Sequence, residues 1–153
     1  MVTDRFGALI EELSTALKIK LAPDSHNACR IRWKDKLEVY MEPDVSGDML
    51  QVVIEIGKPG DGKFRENILR EALRANGLPF PRYGTFCYGQ KNDSLLLFDF
   101  LPMEDLNGTR LADVITQLSD KARVWRDSIA HGELPPYQSG RAGSRPEGVF
   151  GLR

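Results

Sequence analysis

The spacing of apolar residues changes several times along the chain, and each change marks a new predicted element. Apolar side chains three and four residues apart predict a helix from about Asp4 to Lys18, and this period returns over about 63–76 and about 109–131. Alternation predicts three strands before the second helix, and a second hairpin of two strands is predicted after it. The sequence therefore predicts the element order α-β-β-β-α-β-β-α.

The first two predicted strands form a hairpin whose two faces differ in polarity. The apolar positions are Cys29, Ile31, Trp33, Leu37, Val39 and Met41. The polar positions between them are basic on the first strand and acidic or aromatic on the second: Arg30, Arg32, Lys34, Glu38, Tyr40 and Glu42. Opposite charges can pair across such a hairpin, each pair contributing roughly 0.2–1 kcal/mol. We therefore expect one buried face and one solvated, largely neutralised face.

The remaining strands and the tail complete the predicted architecture. Leu95 to Phe98 is continuously apolar, so both faces of that strand are expected to be buried. These patterns predict an α+β domain, with a mainly antiparallel sheet of about five strands and three helices. We expect this domain over residues 1–131 and a flexible tail rich in Gly, Pro and Arg over residues 132–153.

Composition limits the kinds of partner. The 153 residues carry 21 basic and 22 acidic side chains, and this balance argues against a nucleic-acid binder. No apolar run approaches the ~20 residues of a membrane span, and none near the N-terminus looks like a signal peptide. Cys29 and Cys87 lack the spacing of a zinc site. We expect a cytoplasmic protein without a membrane span or bound nucleic acid.

Catalytic and metal-binding patterns are missing from the sequence. His26 falls in a predicted loop and His131 at the end of the third helix, and neither has neighbours that resemble a metal-ligand set. No GxSxG nucleophile motif occurs. The sequence therefore predicts no catalytic residues, no metal site, no cofactor and no enzymatic activity.

One segment offers an alternative function. Residues 57–63 fit the pattern GxxxxGK between a strand and a helix, as a phosphate-binding loop would, and Asp99 ends a later apolar strand. Phe64 stands where a Ser or Thr hydroxyl should meet Mg²⁺, and the preceding strand belongs to a meander rather than a parallel sheet. A small nucleotide-binding protein using Gly57–Lys63 is thus an alternative, as is a generic protein-binding adaptor.

The element order and three stretches resemble a known family, the class I type III secretion chaperones of the CesT/SycE type. Residues 6–13 look like the family's opening helix, and residues 94–102 are similar to its apolar strand ending in a proline turn. Residues 111–126 look like its last helix. The near-neutral charge and the tail depart from the family's usual pattern.

The resemblance implies a function and two surfaces. The family consists of bacterial, cytoplasmic homodimers that hold secreted effector proteins, and some also meet components of the secretion apparatus. It implies cargo contacts on the first helix and the first hairpin, at Phe6, Leu13, Ile31, Trp33 and Val39. The alternative, that most of these belong to the core, stays open. Surplus apolar surface predicts a dimer interface at Ile68, Leu69, Leu73, Leu96 and Phe98.

Overall fold

A computed structural model describes residues 4–79 and 82–136. The helices are α1 (Arg5–Leu17), α2 (Gly62–Asn76) and α3 (Gly108–Ala130). The strands are β1 (Cys29–Arg32), β2 (Glu38–Pro43), β3 (Met49–Gly57), β4 (Thr85–Gly89) and β5 (Ser94–Pro102), and a short 3₁₀ turn (Met103–Asp105) follows β5. The predicted α+β class and element order are confirmed. The predicted tail lies outside the described residues from position 137 onward.

Side chains next to the helices fix where two of them begin. The carboxylate of Asp4 accepts a hydrogen bond from the Phe6 N–H at 3.1 Å at the start of α1. The side chain of Asn107 accepts one from the Arg110 N–H at 2.8 Å at the start of α3. Both bonds satisfy amides that have no partner within their helix.

The five strands form one antiparallel sheet in the order β1-β2-β3-β5-β4. The connection through α2 carries the chain past β5, so β4 becomes an edge strand and β5 an inner one. The register aligns Ile31, Val39, Ile54, Leu97 and Phe86 in one row across all five strands. All five side chains are buried. The sheet therefore has one continuous apolar face.

Helices α1 and α3 pack together and complete the core with this face. Their buried core residues are Phe6, Leu9, Ile10, Leu13, Leu111, Ile115, Leu118, Ala122 and Trp125. Helix α2 adds Ile68 and Ala72 and packs against β4. The Phe86 ring lies 4.2 Å from the Trp125 ring, which ties the edge strand β4 to α3.

Strand β5 is buried on one face only, whereas the sequence predicts burial on both. Leu95 and Leu97 are buried on the helix side, whereas Leu96 and Phe98 on the other side are only half-buried. Tyr40 and Val53 lie beside Phe98 in the same row and are also half-buried. The sheet thus keeps one partly exposed face, which we call the open face, formed by the side chains of Arg30, Tyr40, Val53, Leu96, Phe98 and Phe100.

Candidate partner-binding site

The outer edge of β1 is where a further strand can pair with the sheet. The Trp33 N–H donates to the Leu37 carbonyl at 2.9 Å, so residues 33 and 37 form a hydrogen-bonded pair of the hairpin. Such pairs alternate along an antiparallel ladder, which makes Ile31–Val39 the next one. The main-chain groups of Arg30 and Arg32 therefore point away from β2, toward an edge where residues 4–79 and 82–136 place no further strand.

Helix α3 holds the β1–β2 hairpin in place by bonding to the turn between the two strands. The carboxylate of Asp35 accepts hydrogen bonds from Arg123 at 2.6 Å and from Arg126 at 3.0 Å. These bonds, that from Arg123 first, lower the pKa of Asp35 to about 2. The indole N–H of Trp33 donates to the buried Ser119 hydroxyl at 3.2 Å. The edge of β1 is thus fixed relative to α3.

The open face beside β1 is a mixture of apolar and paired charged groups. A shallow depression of about 250 Å³ is lined by Arg30, Glu38, Tyr40, Val53, Glu55 and Leu96. Arg32 pairs with Glu38 at 2.5 Å, which confirms the cross-strand pairing expected from the sequence. The guanidinium of Arg30 lies 5.4 Å from the centre of the Tyr40 ring. This face suits a protein segment with both apolar and polar side chains.

The five predicted cargo positions lie on two elements: Phe6 and Leu13 on α1, and Ile31, Trp33 and Val39 on or beside the β1–β2 hairpin. Phe6, Leu13, Ile31 and Val39 are 2% exposed or less, because all four belong to the core between the helices and the sheet. Trp33 is half-buried against α3. Side chains this buried contact a partner only if the core opens, so direct contact at the first four is not available in this structure.

The five predicted dimer positions divide into three environments. Ile68 is fully buried within the chain, and Leu69 is half-buried against the core. Leu96 and Phe98 lie on the open face. Leu73, on α2, is 72% exposed. The sequence did not single out Phe100 and Tyr88, each 46% exposed.

The phosphate-loop alternative finds no support in the geometry. The segment follows β3, an inner strand of an antiparallel sheet, whereas such loops join a strand of a parallel sheet to a helix. Lys63 Nζ pairs with Glu66 at 3.1 Å on the surface of α2. The Phe64 ring would lie 2.6 Å from a Cβ at Gly60, so an aromatic side chain fills the inside of the turn. Asp99 is half-buried in β5, and burial raises its pKa.

Residues 4–79 and 82–136 contain neither a metal-ligand cluster nor a helix suited to span a membrane. No group of three or more His, Cys, Asp or Glu side chains there could hold a metal ion. His131 contacts the Asp127 carbonyl oxygen at 2.7 Å at the end of α3, and His26 lies in an exposed loop. Within the same ranges, no helix has the length and hydropathy needed to cross a membrane.

Comparison with solved structures identifies the fold. A chain of the HopA1–SchA chaperone–effector complex matches with a TM-score of 0.68 at 18% identity, over 83% of this chain and 98% of that chain. A chain of the ExsC–ExsE complex matches with a TM-score of 0.63 at 16% identity, over 90% and 98%. A chain of the complex between the Yersinia pestis type III secretion chaperone SycH and a YscM2 fragment matches with a TM-score of 0.62 at 26% identity, over 77% and 97%. The fold is that of the class I type III secretion chaperones.

Sequence comparison identifies the family. The sequence model of the Tir chaperone protein (CesT) family matches residues 8–126, which is most of the chain. No curated protein matches the sequence. The chain belongs to the Tir chaperone protein (CesT) family, and the resemblance seen in the sequence is thereby confirmed.

Proposed function

We propose that this protein is a homodimeric secretion chaperone that holds the N-terminal segment of an effector in an extended form. The observation that carries the proposal is the outer edge of β1, where the main-chain groups of Arg30 and Arg32 meet no other strand of the described part of the chain. An extended segment pairs with such an edge through its main chain, and its side chains fall alternately on the two faces of the sheet. No nucleotide or metal takes part.

The chemistry of the neighbouring face supports this partner. A segment added to β1 places every second side chain beside Arg30 and Arg32 on the open face. Similar folds occur in the HopA1–SchA and ExsC–ExsE complexes, the first of which is a chaperone–effector complex. A chain kept extended cannot form its own core, which is the condition for passage through a narrow secretion apparatus. We further propose that the protein works in the bacterial cytoplasm and makes contact with components of that apparatus.

The homodimer rests on apolar surface that a monomer leaves exposed. Leu73 on α2 is 72% exposed and Phe100 on the open face is 46% exposed. Two-fold association buries the same patch on both copies and removes this surface from water. We propose Leu73 as the centre of that interface, with Leu69 beside it on α2 and Ile68 supporting it from the core.

Capture from the native cell tests the proposed function. The full chain, carrying a purification tag, is expected to retain one or a few secreted proteins that mass spectrometry identifies. Limited proteolysis of the complex should leave an N-terminal segment of the bound protein protected. Absence of a secreted partner, or protection of a folded domain instead of an extended N-terminal segment, would overturn the proposal. Tight binding of Mg-ATP by the chain would favour the nucleotide-binding alternative.

A further inference from the structure

The sheet has a second edge, at β4, and the structure treats it differently from β1. Residues 85 and 98, and 87 and 96, face each other across the β4–β5 ladder, and Phe86 lies between these pairs. The main-chain N–H and C=O of Phe86 both bond to a group outside the sheet. Phe86 is therefore an edge-facing position of β4, equivalent to Arg30 or Arg32 on β1.

The group that meets this edge is the side-chain amide of Asn76, the last residue of α2. Its Oδ1 accepts a hydrogen bond from the Phe86 N–H at 2.8 Å, and its Nδ2 donates to the Phe86 carbonyl at 2.9 Å. One side chain thus makes both bonds that a residue of an added strand would make. The carboxamide has the same donor and acceptor groups as a peptide unit, which explains why Asn fits here.

The other end of α2 is fastened to the same hairpin. Arg65 pairs with Asp93 at 2.7 Å and donates to the Tyr88 hydroxyl at 3.1 Å, and that hydroxyl donates to Asp93 at 2.7 Å. Between the two ends, Ile68 and Ala72 bury their side chains in the core. The helix therefore lies along β4, and Asn76 makes the main-chain contact.

We infer that Asn76 is a specificity-determining residue, which closes the β4 edge and leaves β1 as the edge where a partner strand is added. This inference rests on the proposed function and specifies the site of strand addition. A chain with two open edges could accept two segments, or pair edge to edge with further copies and aggregate. A helix that carries a peptide-like side chain at one edge prevents both outcomes.

The test uses the full chain without an effector, in wild-type form and as Asn76→Ala. The variant should exchange the Phe86 amide roughly two- to ten-fold faster than wild type in hydrogen–deuterium exchange, because the net contribution of a hydrogen bond corresponds to such a factor. Its mass by light scattering should also rise with concentration beyond that of wild type, as the opened edges pair. Asn67→Ala, on the same helix, is the matched control and should resemble wild type in both measurements.

Three outcomes decide the question. Faster exchange at Phe86 together with concentration-dependent association supports the inference. Unchanged exchange in a folded variant shows that the amide does not protect this position and overturns it. Faster exchange without added association shows that α2 keeps the edge closed without Asn76, which also overturns it.

Asn76→Ser serves if the alanine variant does not fold, because its shorter hydroxyl cannot reach both main-chain groups of Phe86, and the same outcomes apply. No effector is present in these measurements. A negative result therefore concerns Asn76 alone, whereas failure of the proposed function would appear as the absence of a captured effector.

Discussion

The carboxylate of Glu12 on α1 accepts a hydrogen bond from the backbone N–H of Gly108, the first residue of α3, at 2.8 Å. The two backbones also touch at this point, since a Cβ on residue 108 would lie 2.5 Å from the carbonyl carbon of Glu12. The carboxylate satisfies an unpaired amide and meets the positive end of the α3 dipole. Glycine is therefore required at 108 by the close approach of two helices.

Replacing Gly108 by Ala should lower the free energy of unfolding by about 1–3 kcal/mol, because backbone atoms on α1 cannot move aside as a flexible side chain would. Urea denaturation followed by circular dichroism measures the change. Gly7→Ala on α1 is the matched control. Its Cβ would lie 3.4 Å or more from its neighbours, so a helix-favouring residue there should keep or raise stability by up to about 1 kcal/mol. Equal effects at both positions would contradict the close helix contact.

The second prediction concerns the acid sensitivity of the bonds from Arg123 and Arg126 to Asp35, which hold the β1–β2 hairpin against α3. The pKa of Asp35 is lowered to about 2 in the folded protein by its bonds to Arg123 and Arg126, against an ordinary value of 3.8. A carboxyl with a depressed folded pKa contributes stability above its unfolded pKa and loses it as the pH falls through the folded value. Asp35→Asn should therefore be less stable than wild type at neutral pH, and the difference should shrink between pH 4 and pH 2, roughly the interval between these two pKa values.

Melting temperatures of wild type and Asp35→Asn across this pH range provide the measurement. Asp113→Asn on the exposed surface of α3 is the control, because the described residues offer Asp113 no ion pair. Other carboxyls with lowered pKa, such as Asp93, titrate in both proteins and cancel in the comparison. A difference that stays constant down to pH 2 would show that the charge of Asp35 is not what fastens the hairpin.

Local patterns predicted much of this fold, and failed where a property depends on contacts between distant elements. The pattern of apolar and polar positions predicts all five strands and the three helices. It could not reveal that β5, rather than β4, pairs with β3, because strand order depends on long-range pairing. As a sequence, Asn76 followed by Gly77 predicts only a helix end, whereas the Asn76 side chain also bonds to Phe86 ten residues further on.

The candidate site shows the same limit. An apolar residue in the alternating pattern of a strand can lie in the core or on an apolar contact surface. Sequence alone does not separate the two. Ile31 and Val39 proved to be core. The contact proposed above uses main-chain groups of Arg30 and Arg32 instead, which carry no sequence signal beyond their place in an edge strand.

The proposed dimer interface can be tested at its most exposed position. Light scattering of the wild-type chain at micromolar concentration should give about twice the 17.2 kDa chain mass. Leu73→Asp should shift this toward the monomer mass, because a two-fold interface would bury the introduced carboxylate twice. Val45→Asp is the control, since Val45 is fully exposed in the β2–β3 turn, and it should leave the mass unchanged. A monomeric wild type would remove the dimer from the proposal.

The fourth prediction concerns the boundary between the domain and the tail. The Glu133 N–H donates to the Ser128 carbonyl at 2.9 Å, so the C-terminal capping bonds of α3 extend to Glu133. Deleting residues 134–153 should shift the melting temperature little, because their Pro, Gly and Ser content gives too little apolar area to offset an ordering cost of roughly 1–2 kcal/mol per residue. Deleting 129–153, which also removes Ile129 from the core, should lower it clearly. A large loss in the shorter deletion would show that the tail docks onto the domain.

Strand addition at β1 makes the most specific prediction, because it depends on one main-chain N–H. Arg30 is an edge-facing position, so its N–H makes no bond to β2, and proline is tolerated at such edge positions of a sheet. Arg30→Pro should therefore leave the fold intact while it removes a donor that an added strand needs. Arg30→Ala keeps that N–H and removes the same side chain, which lies over the Tyr40 ring. Capture of the effector should weaken in Arg30→Pro and persist in Arg30→Ala, with melting temperatures confirming that both variants fold. Equal capture by both would place the effector elsewhere on the chaperone, and equal loss in both would assign the contact to the guanidinium of Arg30 rather than to the edge of the sheet.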